Sequence, residues 1–191
     1  RKQPVLITAQ GTYEDMYLQG WNAGMEKRWE HEIAKSAPGA RGSHMCPVVD
    51  INNDNIDEVM WGERCIEIDT GKELFCCDRE EYNGHSDMIQ PVLEASTEKW
   101  YIYTAREGDN DASPRVAVFD DKGKRLWGDV EKGHMDMSWV ARVGENRDII
   151  GMSIKIDNKT CGPDGRSHFG CLEYKYKVLT GERIELPFST Y

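Results

Sequence analysis

The chain has 191 residues and a formal net charge of -10, which argues against a nucleic-acid partner because phosphate binding requires a basic surface. It contains no apolar run of the roughly 18 residues that a membrane-spanning helix needs. The length is sufficient for one domain with a sizeable hydrophobic core.

A repeated turn is the main structural signal. Four turn-like segments are spaced by 47, 52 and 58 residues, and their glycines are Gly24, Gly71, Gly123 and Gly181. Each turn precedes a short strand-like run, and the last three also follow one that alternates in polarity. Two strands joined by a short glycine-containing turn predict a β-hairpin. The chain is therefore expected to contain four successive hairpins.

Further strands are predicted upstream of each hairpin. Inner strands are expected at Met45–Ile51, Met88–Leu93 and Met135–Val143, but none precedes the first unit. Each unit has a second strand, at Val5–Ala9, Glu58–Gly62, Trp100–Thr104 and Ile149–Ile154. The stretch Met25–Lys35 also fits a helix, but its counterparts are strands, so we interpret at least its first half as a strand. Four strands in a repeat of this length are typical of a β-propeller blade.

The predicted fold is an all-β propeller of four-stranded antiparallel blades. A partial blade occupies residues 1–40, and blades follow at about 41–78, 83–130 and 133–188. Because the first unit lacks an inner strand and a closed propeller has four to eight blades, residues 1–191 are expected to be one incomplete propeller. The missing blades are expected from the rest of a longer chain.

Three histidines occupy one position of the repeat. His44, His85 and His134 each follow a Gly in the link to an inner strand. Inner strands surround the axis of a propeller, so the imidazoles are expected to converge on one face. The alternative is that each histidine caps a strand or bonds a neighbouring blade. A second interpretation of a convergent cluster is a divalent metal held by the three imidazoles.

Basic residues are expected on the same face, in the loops between second and third strands. Arg64 and Arg106 occupy matching positions, and two long loops span 106–115 and 155–171. Guanidinium binds carboxylate in a bidentate manner, and histidine transfers protons near neutral pH. This combination predicts a site for an acidic oligosaccharide or polysaccharide; surface ion pairs are the alternative for each arginine. The candidate substrate-binding residues are Arg115, Arg166 and His168.

A different motif lies between strands one and two of the second unit. The segment from Asp50 to Glu58 alternates side-chain oxygens with other residues, a spacing that wraps a short loop around a hard cation such as Ca²⁺. An Asx-rich turn without metal is the alternative. The predicted ligands of this structural Ca²⁺ are Asp50, Asn52, Asp54, the carbonyl of Ile56, and Glu58.

The Asp50–Glu58 loop resembles the Ca²⁺ loops of FG-GAP-type propellers. Together with the Gly-His-x-Asp links at Gly84–Asp87 and Gly133–Asp136, it looks like the propeller polysaccharide lyases, namely the rhamnogalacturonan lyases and, more loosely, the ulvan lyases. This resemblance implies β-elimination of uronic-acid polysaccharides, with His or Tyr carrying protons and Arg neutralising the carboxylate.

On that interpretation Arg64 or Arg106 neutralises the uronate, His85 or His134 removes the proton, and Tyr82 protonates the leaving oxygen. His44 completes the catalytic set. Two functions remain open: a polysaccharide lyase, and a non-catalytic extracellular propeller that binds carbohydrate or protein. A secreted or periplasmic location is expected for either.

Overall fold

A computed structural model describes residues 3–107, 113–145, 147–161, 163–165 and 167–189, without the side chains of residues 157–161 and 167–169. This part of the chain forms fourteen β-strands and no α-helix, and it contains no helix long and apolar enough to cross a membrane. The strands are β1 (Leu6–Gln10), β2 (Met16–Trp21), β3 (Lys27–Ile33), β4 (Val48–Val49), β5 (Glu58–Trp61), β6 (Arg64–Glu67), β7 (Glu73–Cys76), β8 (Ser86–Glu94), β9 (Lys99–Arg106), β10 (Val116–Asp120), β11 (Arg125–Asp129), β12 (His134–Val143), β13 (Asp148–Cys161) and β14 (Ser167–Lys177).

The strands form four antiparallel sheets, and each sheet takes its strands in chain order. The sheets are β1–β3, β4–β7, β8–β11 and β12–β14. The prediction of an all-β chain built from successive antiparallel units is therefore confirmed. The segment that also fitted a helix contains β3, so the helix alternative is wrong.

Three apolar cores lie between the four sheets, and each core joins two consecutive sheets. Alternate residues of a strand point to opposite faces, and in the middle sheets both faces are buried. Ile102 of β9 packs toward the second sheet, whereas Tyr103 packs toward the fourth. A third core joins the first two sheets through Leu18 and Trp61. Among the described residues no core joins the first sheet to the fourth, so the sheets form an open row.

The repeated glycine turns are contacts between neighbouring sheets. Gly71, Gly123 and Gly181 all have positive φ, and each lies under an aromatic ring from the preceding sheet. A Cβ added at Gly71 would lie 2.4 Å from Trp29, and one at Gly181 would lie 2.8 Å from Trp127. The rings of these tryptophans also donate Nε1–H bonds to the carbonyls of Ile68 and Val178. The turn repeat therefore reflects how one sheet docks on the next.

Three predicted elements differ from the structure. The inner strand expected at Met45–Ile51 is limited to Val48–Val49. The last outer strand, expected after Gly181, is reduced to one bridge between Tyr176 and Arg183. The predicted loop 155–171 is instead the far end of the β13–β14 hairpin, where Cys161 pairs with Ser167.

Candidate functional site: a histidine–carboxylate cluster

Backbone pairing between consecutive links brings the first two repeat histidines together. Ser43 and Ser86 form a parallel bridge, and the amide of Arg41 donates to the carbonyl of Gly84. His44 and His85 are therefore neighbours, with ring centroids 5.4 Å apart in an edge-to-face arrangement. His134, at the start of β12, approaches the same point from the fourth sheet.

Two carboxylates join the three imidazoles into one group, which we call the histidine cluster (His44, His85, Asp87, Glu107 and His134). Asp87 Oδ1 lies 3.4 Å from His44 Nε2 and 3.6 Å from His85 Nε2, and its Oδ2 lies 3.6 Å from His134 Nε2. Glu107 contacts His85 through Oε2 and lies 3.3 Å from His134 Nδ1 through Oε1. The expected convergence of the histidines is thus present in the structure.

Exposure differs sharply within the cluster. The side chains of His44 and His134 are 55% and 39% exposed, whereas that of His85 is fully buried. Burial raises the pKa of Asp87 to about 6, the negative charge of Glu107 adds to this effect, and the three histidines oppose it. The cluster therefore combines a mostly buried carboxyl group, that of Asp87, with two imidazoles that solvent can reach.

Four residues at the cluster were not among the predicted site residues: Tyr13, Asp87, Glu107 and Asp136. Tyr13 packs edge-on against His85 at 4.6 Å, and its hydroxyl lies 3.4 Å from His85 Nε2. It belongs to the β1–β2 link, which is the counterpart of the arginine-bearing loops. Glu107 directly follows Arg106 at the end of β9, and Asp136 Oδ1 lies 3.7 Å from His134 Nε2. Repeat position could have identified Tyr13, because the first unit has the same loop on the same face.

Arg64 does not reach the cluster. Its guanidinium is buried and donates to the carbonyls of Ala40 and Pro38 and to the carboxylate of Glu73. Two of its nitrogens therefore hold the 38–40 segment, and the third pairs with Glu73. The structure corrects the prediction that Arg64 neutralises a substrate carboxylate.

Arg106 is also buried, directly beneath the cluster. Nε and one terminal nitrogen bind the two oxygens of Glu63, each at 2.7 Å, and the same terminal nitrogen donates to Asp78 at 2.7 Å. Burial opposes its charge, but the two carboxylates keep the pKa of Arg106 above its ordinary value. Because the group is fully occupied, it supports the strand end that carries Glu107 and does not face a ligand.

Tyr82 has a similar supporting position. Its buried ring stacks 4.0 Å from the Arg106 guanidinium, and its hydroxyl donates to the carbonyl of His85. It therefore holds the backbone of His85 and is not available to protonate a leaving group. The catalytic assignment of Tyr82 is corrected accordingly.

Of the three predicted substrate-binding residues, Arg115 is the one whose side chain lies in the described part of the chain. Arg115 is buried directly before β10, where its amide donates to the carbonyl of Val130 at 2.7 Å. Arg166 lies outside the described residues. His168 lies in β14 paired with Thr160, and its side chain is outside the description.

The Asp50–Glu58 loop is closed by its own side chains. Asp50 accepts backbone bonds from Asp54 and Asn55, each at 2.9 Å, and Asn55 has a positive φ. Glu58 Oε2 accepts from the Ile51 amide at 2.9 Å, but the buried Oε1 has no hydrogen-bond partner. Burial raises the pKa of Glu58 to about 7, the Ile51 amide opposes this effect, and the neighbouring Asp54 and Asp50 add to it. An unsatisfied buried carboxylate oxygen is compatible with a cation at this position.

Among the described His, Cys, Asp and Glu side chains, two groups bring potential ligand atoms within 4.8 Å of one another. Both lie in the histidine cluster, and they share Asp87. One contains His44, His85, Asp87 and Glu107; the other contains Asp87, His134 and Asp136. The cluster therefore has the chemistry of a site that binds cations or transfers protons.

Comparison with known proteins gives two matches. The family model described as rhamnogalacturonan lyase family 11, C-terminal domain, matches residues 1–156. The crystal structure of rhamnogalacturonan lyase YesW aligns with a TM-score of 0.71 at 22% identity, over 95% of this chain and 28% of that chain. This similarity shows a shared fold, and the chain spans just over a quarter of that protein's length. A comparison with curated proteins gives no match.

Proposed function

We propose, because this chain belongs to the family of C-terminal domains of family 11 rhamnogalacturonan lyases, that it forms part of a lyase that cleaves a uronic-acid-containing polysaccharide by β-elimination. The observation that carries the proposal is the histidine cluster, where histidines from three consecutive links meet two carboxylates. Elimination across C4–C5 of a uronate removes a proton α to a carboxylate, which requires a base within reach. The two exposed imidazoles meet that requirement.

The roles follow from exposure. His44 is the best candidate base, because its imidazole is exposed and Asp87 is 3.4 Å from Nε2, where it can orient the ring. Tyr13 is the phenol that a leaving oxygen can reach, since its side chain is exposed beside His85. Tyr13 thus takes the role first assigned to the buried Tyr82, and His44 takes the role first assigned to His85 or His134.

Ultraviolet absorbance of the unsaturated uronate product tests this function. The full-length protein should be incubated with a panel of uronate polysaccharides, and His44→Ala should lower kcat by about 100-fold or more. His31→Ala is the matched control, because His31 also lies near a carboxylate, 3.6 Å from Glu73, but outside the cluster. Unchanged activity in His44→Ala contradicts the proposed base. Binding without product from the unmodified protein identifies a non-catalytic carbohydrate-binding module.

We also propose that the four sheets are consecutive blades of a larger β-propeller, completed by other parts of a longer chain. The row of sheets with a core between each pair supports this arrangement, as do exposed apolar side chains on the last sheet, such as Met137 and Trp139. The proposed units are a partial blade at 1–40 and blades at about 41–78, 83–130 and 133–188. A structure of the complete protein in which the first and fourth sheets pack on each other contradicts this arrangement.

A structural Ca²⁺ is proposed in the Asp50–Glu58 loop. The residues that fit it are Asp50, Asn52, Asp54 and Glu58, with the carbonyl of Ile56, and the unsatisfied Glu58 oxygen supports the assignment. A chelator should lower the melting temperature, and Asp54→Ala should abolish that response. Asp120→Ala is the control, because Asp120 closes a similar turn through the amides of Lys122 and Lys124. A chelator response that persists in Asp54→Ala places the cation elsewhere.

A polysaccharide substrate also implies a secreted or periplasmic location. Recovery of the native protein from the cytosolic fraction of its source cells contradicts that part of the proposal.

A further inference from the structure

Lys155 of β13 occupies the position in the fourth sheet that Arg106 occupies in the third. In both sheets the pairing of the inner strand with the second strand skips one residue near its start. The pairs on either side of the skipped residue are Ser86–Arg106 and Met88–Ala105 in the third sheet, and Met135–Lys155 and Met137–Ile154 in the fourth. Because the two bulges coincide, Lys155 and Arg106 are equivalent. Bulges are frequent beside active sites, where they re-aim a side chain.

The side chain of Lys155 faces the third sheet and runs toward the histidine cluster. Ser153, two residues earlier and therefore on the same face of β13, shares a hydrogen bond of 2.7 Å with the hydroxyl of Tyr103 in β9. A Cβ added at Gly133 would lie 2.0 Å from Lys155 Cε and 2.9 Å from Nζ. Gly133 directly precedes His134, so the ammonium lies beside the link that carries His134 into the cluster.

The two equivalent cations differ in their partners. Arg106 points back to the second sheet, where it binds both oxygens of the buried Glu63 at 2.7 Å. Lys155 points back to the third sheet, where the end of the second strand carries Arg106 and Glu107, and Glu107 is directed to two histidines of the cluster. Within the part of the chain that the structure describes, no ion pair or hydrogen bond engages the partly buried Lys155 ammonium.

The charge around the cluster makes such a cation necessary for an acidic ligand. Asp87, Glu107 and Asp136 place three carboxylates against His134, and the whole chain has a formal net charge of -10. An incoming carboxylate is repelled by these groups unless a cation of the site faces it. A partly buried ammonium without an acid partner meets that need, because lysine acts as a compact point charge.

We propose that Lys155 binds the carboxylate of the uronate that is cleaved. As His44 removes the proton at C5, the C4–C5 double bond forms, the C4–O bond breaks, and the leaving oxygen takes a proton from Tyr13. Negative charge builds on the uronate carboxylate while the proton leaves, and a fixed ammonium at that position stabilises it. This catalytic role rests on the proposed lyase function, but binding of a carboxylate by Lys155 does not.

Charge-selective binding tests the assignment. The full-length protein should be titrated by calorimetry with a galacturonate oligosaccharide and with its methyl ester, which lacks the charge. Lys155→Met should weaken binding of the acid about 10–100-fold and leave binding of the ester unchanged, and Lys155→Arg should restore most of the loss. Lys177→Met is the matched control, because it removes the same charge at the other end of the β13–β14 hairpin, where Lys177 pairs with Glu182 at 2.7 Å.

Thermal unfolding gives a second, independent measurement. Because no described residue pairs with the Lys155 ammonium, Lys155→Met should leave the melting temperature unchanged or raise it. The equivalent variant Arg106→Met breaks a buried ion pair and should lower it. A comparable drop in Lys155→Met would show that Lys155 supports the fold and would overturn the assignment.

The remaining outcomes separate the two proposals. Unchanged binding of the acid in Lys155→Met, an equal loss for acid and ester, or no preference of the unmodified protein for the acid would each overturn the role of Lys155. Selective binding of the acid without unsaturated product supports Lys155 as the carboxylate-binding residue and contradicts only the lyase proposal. Product formation by Lys155→Met at the unmodified rate leaves the lyase proposal standing and refutes the catalytic role of Lys155.

Discussion

Replacement of Arg106 distinguishes a structural arginine from a substrate-binding one. The Arg106 side chain is fully buried, and the carboxylate of Glu63 that it binds is buried as well. Arg106→Met would leave Glu63 unpaired and deprive Asp78 of one of its two arginines. Removing one partner of a buried ion pair costs about 3–5 kcal/mol, so the free energy of unfolding should fall by that amount.

Arg125→Met is the matched control. Arg125 donates to the same Asp78 oxygen at 2.6 Å, but its side chain is 31% exposed. Solvent screening limits such a pair to about 0–1 kcal/mol. Both variants remove a guanidinium and keep an apolar stem, so the difference between them isolates burial.

Urea unfolding followed by the fluorescence of the six tryptophans measures both variants. With a slope of about 2 kcal/mol per molar urea, the Arg106 variant should lose about 1.5–2.5 M in midpoint and the control about 0.5 M or less. Equal midpoints for the two variants would refute the reasoning. They would mean that Arg106 is accessible and would restore it as a candidate for carboxylate binding.

Three other predictions concern stability. Burial opposes ionisation of Glu73, but hydrogen bonds from His31, Arg64 and Arg79 lower its pKa to about 2 from 4.5, so this carboxylate stabilises the fold above about pH 4.5 and loses the effect as pH falls toward 2. Glu73→Gln should cost about 2–3 kcal/mol at neutral pH in urea unfolding, and a deficit that persists at pH 2 contradicts the linkage. Gly62→Ala should cost more than Gly144→Ala in thermal unfolding, because both have positive φ but only the Cβ at position 62 would clash, 2.1 Å from the carbonyl of Arg41; equal losses would show that backbone strain alone decides. Tyr103→Phe should cost about 1 kcal/mol in urea unfolding, because the buried hydroxyl bonds the Ser153 hydroxyl at 2.7 Å, and no loss would mean that water replaces the bond.

Local periodicity was enough to predict the repeat and most of the strands. Alternation of polarity identified β6 and β10, and the turns at Gly71, Gly123 and Gly181 marked equivalent hairpins. The shared position of the three histidines also followed from repeat register, because equivalent positions of neighbouring repeats occupy the same end of their sheets.

The sequence could not predict which charged residues face solvent. Arg64 and Arg106 occupy matching positions beside the histidine loops, and the chain pattern alone made both look like ligand-binding residues. Their burial depends on partners that folding brings in from distant segments: Glu63 lies 43 residues from Arg106, and Ala40 lies 24 residues from Arg64. Tyr13 lies 72 residues from His85 and reaches it only because the first sheet packs on the second.

The sequence by itself thus determined the all-β repeat and the common position of His44, His85 and His134, since alternation and repeat register are properties of neighbouring residues. Only the tertiary structure decided that Asp87 and Glu107 complete the histidine cluster while Arg106 is withdrawn beneath it. The physical reason is that burial and ion pairing depend on which strands pack together, and a guanidinium with its carboxylate partners inside the protein is no longer available to a ligand.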